Sequence, residues 1–146
     1  FEMVTCEECG LTYAEDIASD VRKHSRRHEK YLLACEHFGV LFPYKERERI
    51  KDRTSPIIHA QKWNTGREFS LQEKRAAAVE QIRAYFSRSV ESWDYSLSHP
   101  PFKEYAAMLL NQKRWSEDID PDVAQLLIKE FSQLPGIPEG HTYCKR

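Results

Sequence analysis

Two cysteines and two histidines constrain this sequence more than any other feature. Cys6-Glu-Glu-Cys9 is followed after fourteen residues by His24 and, three residues further, by His28, a C-x2-C-x14-H-x3-H spacing. The histidines are one helical turn apart, so on a helix they share a face. The stretch that carries them, Ser19 to Phe38, has a helical period: Val21, His24, His28, Tyr31, Leu32, Cys35 and Phe38 fall together. The first half of that face holds ligand-type side chains and the second half is apolar. One helix, residues 19–38, is therefore predicted to close a metal site at its start and to enter a hydrophobic core at its end.

The residues before the helix suit a hairpin that turns at Cys6-x-x-Cys9-Gly10, where Gly10 can take a positive φ. Ser19 or Asp20 is predicted to cap the helix, and Gly39 to end it. Two thiolates and two imidazoles satisfy tetrahedral Zn2+ without leaving a position for water, which makes the predicted metal structural. The alternative is two loose cysteines beside two surface histidines. The ordered spacing, Gly10 and the helical His pair weigh against it.

The pattern Cys6-x-x-Cys9-Gly10-x-x-Tyr13, then Asp20, then His24-x3-His28, resembles the zinc finger at the front of the cohesin acetyltransferases. The resemblance covers about 25 residues. It implies a finger of that shape with Cys6, Cys9, His24 and His28 as ligands. It does not extend to an acetyl-CoA loop of the Q/R-x-x-G-x-G/A type, which the rest of the sequence lacks.

Beyond the finger the pattern is helical. Pro43 opens a charged helix over Tyr44–Arg53, and Pro56 is predicted to break or restart it, with Ser55 as cap and Ile57, Ile58, Ala60 and Trp63 in a short apolar helix. Ser70-Leu-Gln-Glu73 is a capping box. It opens a long helix whose inward face reads Leu71, Arg75, Ala78, Ile82, Tyr85, Phe86, Ser89, Val90 and Trp93. Phe102 to near Trp115 forms the next helix. Asp120-Pro121 caps and opens the last, with Val123, Leu126, Leu127, Phe131 and Leu134 inward, and Pro135 to Arg146 reads as loop. The predicted fold class is mainly α: an N-terminal ββα zinc finger over residues 1–30, and a helical domain over residues 31–146 that shares helix 19–38 with it.

Charge bears on partners. The formal net charge of 146 residues is −1, without the basic excess of a dedicated nucleic-acid binder. Arg22, Lys23, Arg26 and Arg27 form a local basic cluster on the finger helix, surrounded by Glu7, Glu8, Glu15 and Asp16. A lone finger spans about three base pairs, so the basic cluster supports DNA binding only as the alternative function. The remaining cysteines, Cys35 and Cys144, with His37 and His141, offer ligand types for a second metal site. Residues two apart on a helix diverge, however, and a buried Cys35 is the simpler expectation. No phosphate loop, nucleophile elbow or H-E-x-x-H orders a catalytic set, so no enzyme activity is predicted. The four cysteines do not form a secreted disulfide framework, and a cytoplasmic protein is expected.

The expected function is a zinc-stabilised protein-interaction module. In size and make-up the chain is similar to the small zinc-containing anti-CRISPR inhibitors of phages and mobile elements. That resemblance implies a protein partner, an RNA-guided DNA nuclease, whose nucleic-acid engagement would be blocked. Glu7, Glu8, Glu15 and Asp16 would then face its basic channel.

Overall fold

A computed structural model describes residues 2–131. A two-stranded antiparallel hairpin, β1 (Met3–Thr5) and β2 (Thr12–Ala14), precedes six helices. These are α1 (Ala18–Phe38), α2 (Tyr44–Ile58), α3 (Leu71–Ser92), α4 (Phe102–Asn111), α5 (Arg114–Asp118) and α6 (Pro121–Phe131). The fold is mainly α with an N-terminal ββα finger. No described helix is long and apolar enough to cross a membrane.

The long helix α3 joins two cores. Its first half supplies Ala77, Ala78 and Ile82 to a cluster with Ile58, Ala106, Leu110, Ile119, Val123, Ala124, Leu127 and Phe131. Its second half supplies Phe86 and Val90 to a cluster with Ala34, Leu41 and Tyr95. Small residues at Ala77, Ala78 and Ala106 let the helices approach closely, and Phe86 fills the space between the clusters. Its fully buried ring meets Phe38, Phe102 and Tyr105 edge to face at 5.6, 5.5 and 5.6 Å.

The N-cap half of the capping box forms: Ser70 Oγ accepts from Glu73 N at 3.1 Å, while the Glu73 carboxylate accepts from the Ser70 hydroxyl at 3.2 Å and not from its backbone N–H. The inward face of α3 is displaced from its predicted line. Leu71 is exposed, while Lys74, Gln81 and Ser87 are buried among its polar residues. Gln81 explains its own burial. Its amide donates to Thr54 Oγ1 and Ser55 Oγ of α2 and accepts from Trp115 Nε1 of α5, so one side chain on α3 satisfies polar groups of two other helices.

Several sequence expectations are corrected. Pro56 does not break its helix, because α2 runs through it to Ile58. The hydrogen bond that Pro56 cannot make would have gone to the carbonyl of Asp52, an exposed residue, so the lost bond does not leave a buried acceptor. Ser55 is therefore no cap but a partner of Gln81, and Trp63 is not in a short apolar helix: it is exposed and stacks on the buried His59 at 4.4 Å. In α1, Ile17 holds the N-cap position without a side-chain bond, so neither Ser19 nor Asp20 caps it. Val21 and Leu32 point outward and Ala34 inward. The buried stripe of α1 is centred on His24, Tyr31, Cys35 and Phe38, and Val21 and Leu32 lie roughly a quarter-turn to one side of it. Gly39 does end the helix, with φ 89° and its N–H donating to Cys35 O. Helix α4 stops at Asn111, short of Trp115, because Lys113 takes a left-handed φ of 66° and starts α5. Leu134 and the loop from Pro135 to Arg146 lie outside the described residues.

Two acids pair helix α1 with the body: Asp94 takes Lys30 at 2.6 Å, and the less exposed Glu91 joins three helices. Glu91 on α3 pairs with Arg27 of α1 at 2.8 Å and with Arg47 of α2 at 2.6 Å. Replacing Glu91 with Ala is expected to cost about 1–2 kcal/mol, the scale of hydrogen bonds between partly exposed charges. Urea unfolding measures the loss, and faster amide exchange in α1 than in α3 would locate it.

A pH effect follows from His99. Its imidazole is buried against Phe86 and Trp93, donates through Nδ1 to Pro100 O, and accepts at Nε2 from Ser89 Oγ. Burial pushes its pKa down, against the opposing bond to Pro100. The unfolded chain then takes up the proton first. The contribution to stability is complete above pH about 6.5 and is lost as pH falls toward the depressed folded value. His99→Gln is expected to flatten the denaturation profile below about pH 6.5.

Candidate metal centre

The hairpin and α1 bring the four predicted ligands together. Met3, Val4 and Thr5 pair with Ala14, Tyr13 and Thr12. Between the strands the chain turns tightly: Gly10 N donates to Cys6 O and Cys6 N to Leu11 O, both at 2.9 Å. Gly10 has φ 80°, as the knuckle requires. A second constraint was invisible in sequence. A Cβ on Gly10 would lie 2.8 Å from the Cβ of Pro43, at the start of α2.

One ligand atom from each of Cys6, Cys9, His24 and His28 lies within 4.8 Å of the others. Cys6 Sγ is 3.5 Å from His28 Nδ1. Zinc bonds of about 2.3 Å to sulfur and about 2.0–2.1 Å to nitrogen, at a tetrahedral angle, put S and N about 3.5 Å apart. His24 Nε2 is buried with no hydrogen-bond partner. An orphaned buried nitrogen is costly, and a metal bond removes that cost. Burial also pushes the Cys9 thiol pKa up, with its neighbour Cys6 adding to the effect. Without a cation two adjacent thiolates repel, and a divalent ion reverses that.

The surroundings hold the ligands in place. The Tyr13 ring stacks on His24 at 4.3 Å and 11°. Asp20 Oδ2 accepts from Ala14 N at 3.0 Å and ties the end of the hairpin to the first turn of α1. These contacts give physical roles to the Tyr and Asp of the sequence pattern. Glu8 Oε2 lies 3.6 Å from His28 Nε2, so one of the acids assigned to a partner also neighbours a ligand. Glu7, Glu15 and Asp16 are exposed, as is Glu8.

The basic cluster does not survive as a set. Arg22, Lys23 and Arg26 are exposed, but Arg27 is committed to Glu91 and lies over the Tyr95 ring at 5.3 Å. Arg27 is therefore a docking residue of α1, and no sequence signal announced it, because Glu91 and Tyr95 lie more than sixty residues away. The second metal set gains no support from Cys35 and His37. Cys35 is half-buried beside the core and His37 is exposed against the edge of Phe38. His141 and Cys144 lie outside the described residues.

The ββα geometry and the ligand set define a C2H2-type finger. Residues 1–30 match the family model described as the zinc-finger of acetyl-transferase ESCO. The match ends within α1, and no curated protein or solved structure matches the chain.

Proposed function

We propose that the chain is a zinc-stabilised protein-interaction module. The observation that carries the zinc is the convergence of Cys6, Cys9, His24 and His28 around a buried His24 nitrogen that lacks any other partner. Four protein ligands leave the ion no open position, so its role is to hold the hairpin on α1 and not to activate water. A protein partner is favoured over DNA by the state of the basic face. With Arg27 withdrawn, Arg22, Lys23 and Arg26 remain beside an exposed acidic set, on a chain of net charge −1. The narrower reading, in which Glu7, Glu8, Glu15 and Asp16 enter the basic channel of an RNA-guided nuclease, rests on the resemblance in size and make-up described above.

Titration of the zinc-loaded protein against random duplex DNA at low and moderate salt tests the reading. Weak binding that is unchanged in an Arg22→Ala, Lys23→Ala, Arg26→Ala triple variant is expected. Tight, steeply salt-dependent binding that the triple variant abolishes would overturn it in favour of a DNA-binding regulator. Co-purification with a purified RNA-guided nuclease, lost on charge reversal of Glu7 and Glu15, tests the narrower reading.

A further inference from the structure

On the side of α3 that faces α4 and α5 lies a groove of about 490 Å³. Its lining includes Tyr85, Arg88, Trp93, Tyr105, Leu109 and Arg114, and no carboxylate. Arg88 and Arg114 are exposed, and among the described residues neither has an ion-pair partner. Arg27, Arg47, Arg49, Arg53 and Arg75 are each paired with an acid, whereas Arg22, Arg26, Arg67 and Arg83, like Arg88 and Arg114, are not; Arg88 and Arg114 are the two of these that line this groove.

The aromatic walls are fixed from behind. Tyr85 meets Trp115 edge to face, Trp93 meets His99, and Tyr105 meets Phe86. Two turns that adjoin lining residues in sequence hold non-glycine residues at positive φ. Asp94 and Tyr95, directly after Trp93, have φ of 54° and 56°, and Lys113, directly before Arg114, has φ of 66°. Non-glycine residues in this region cluster where a site must be held in shape. Three of the four in the described chain stand beside this groove.

We propose that this groove docks an acidic, partly apolar segment of a partner protein. The inference rests on the protein-interaction reading above and gives it a surface and a chemistry. Arginine presents a planar fork that binds carboxylates in two-point fashion. Tyrosine, tryptophan and arginine are the side chains that carry most binding energy at protein interfaces. Two exposed cations without an ion pair, in a lining that holds no carboxylate, supply charge complementarity to Asp or Glu side chains, and Leu109 with the rings receives an apolar neighbour. Single-stranded nucleic acid would use the rings as well, but its affinity depends on many neutralised phosphates. Two arginines on a chain of net charge −1 supply few.

Selection of a random octapeptide library on the zinc-loaded full chain tests the proposal. Enrichment of Asp and Glu together with an aromatic or leucine is expected. A labelled peptide from that pool, followed by fluorescence anisotropy, is expected to bind at least 100-fold more weakly to an Arg88→Glu, Arg114→Glu double variant. Trp93→Ala is expected to weaken it at least tenfold, and Glu7→Gln, Glu15→Gln to leave it unchanged. Both arginines are exposed, so the double variant should keep the wild-type circular dichroism and melting curve. Arg88→Lys, Arg114→Lys, with the charge retained and the fork lost, should be intermediate. Selection of basic peptides whose binding is lost with Glu7→Lys, Glu15→Lys would overturn the groove but leave the interaction reading standing. Tighter binding of a labelled twelve-nucleotide oligo-dT than of any selected peptide, abolished in the double variant, would overturn the peptide assignment. No enrichment at all would overturn the groove proposal, while the co-purification test addresses the broader reading separately.

Discussion

Chelation of the metal, or replacement of His24 by Ala or Cys9 by Ser, is expected to unfold residues 2–28 and to leave α2–α6 folded. Elemental analysis should find about one zinc per wild-type chain and none in either variant. Apparent zinc affinities of small finger peptides correspond to about 10–16 kcal/mol, and much of that is folding free energy. The hairpin has little else to hold it. Its three-residue strands share one short ladder, and Met3 is exposed. The larger core cluster contains no residue from α1, β1 or β2. The second half of α1 has its own anchors: Ala34 is fully buried, Tyr31 donates to Leu41 O at 2.9 Å, and Phe38 packs on Phe86. Amide exchange is expected to show lost protection through His28 and retained protection in α3. Loss of protection throughout the chain would show instead that finger and body fold as a single cooperative unit.

Asp120→Ala is expected to cost about 3–5 kcal/mol, the penalty for breaking a buried ion pair from one side. Asp120 is fully buried directly before α6. Its carboxylate pairs with Lys74 Nζ at 2.9 Å and accepts from the backbone N–H groups of Gln61 and Lys62. Removal would leave a buried lysine with only the half-exposed Asp122, and two amides without an acceptor. For a domain of this size the change corresponds to a drop in melting temperature of roughly 10 °C. Burial alone would raise the carboxyl pKa, but the Lys74 ammonium and the two amides outweigh it and hold Asp120 below the usual range. Its contribution to stability is therefore complete above pH about 4 and is lost as pH falls through the lowered folded value. Asp120→Asn keeps the shape and loses the charge. It should fall between wild type and Asp120→Ala, and acid denaturation curves of the three proteins should converge at low pH.

The finger and the helix types could be read from sequence because local rules decide them. Ligand spacing, Gly10 at a tight turn, the Ser70–Glu73 box and Gly39 after α1 all act within a few residues. The failures have a common physical cause. Asp120 and Pro121 look like a cap and a first helical residue. The carbonyl of Asp120 does accept from Ala124 N, but its side chain is turned to Gln61, Lys62 and Lys74. Arg27 looked like part of a basic face until Glu91 took it up. Pro56 looked like a break, but Ile58 O accepts from Asp120 N, and the anchored end of α2 keeps the helix intact. In each case a partner about thirty or more residues away decides between locally equivalent choices. The Arg88–Arg114 groove has no local sequence signature for the same reason, because its members come from three helices and their connections.

The close approach of Gly10 to Pro43 has a consequence for how such a finger travels between proteins. Independent fingers are joined by linkers and can be copied from one chain to another as cassettes. Here the family match ends at residue 30, yet the knuckle rests on residue 43, and α1 runs without interruption into the body. A transplant cut at the end of the match would leave behind both the support under the knuckle and the apolar half of its own helix. The finger is thus portable as a pattern of ligands but not as a part, and any new host would have to evolve a matching seat for Gly10. An alanine at position 10 imitates a mismatched host. It should retain all four ligands yet bind zinc more weakly, because the metal would have to hold a strained turn against a blocked surface.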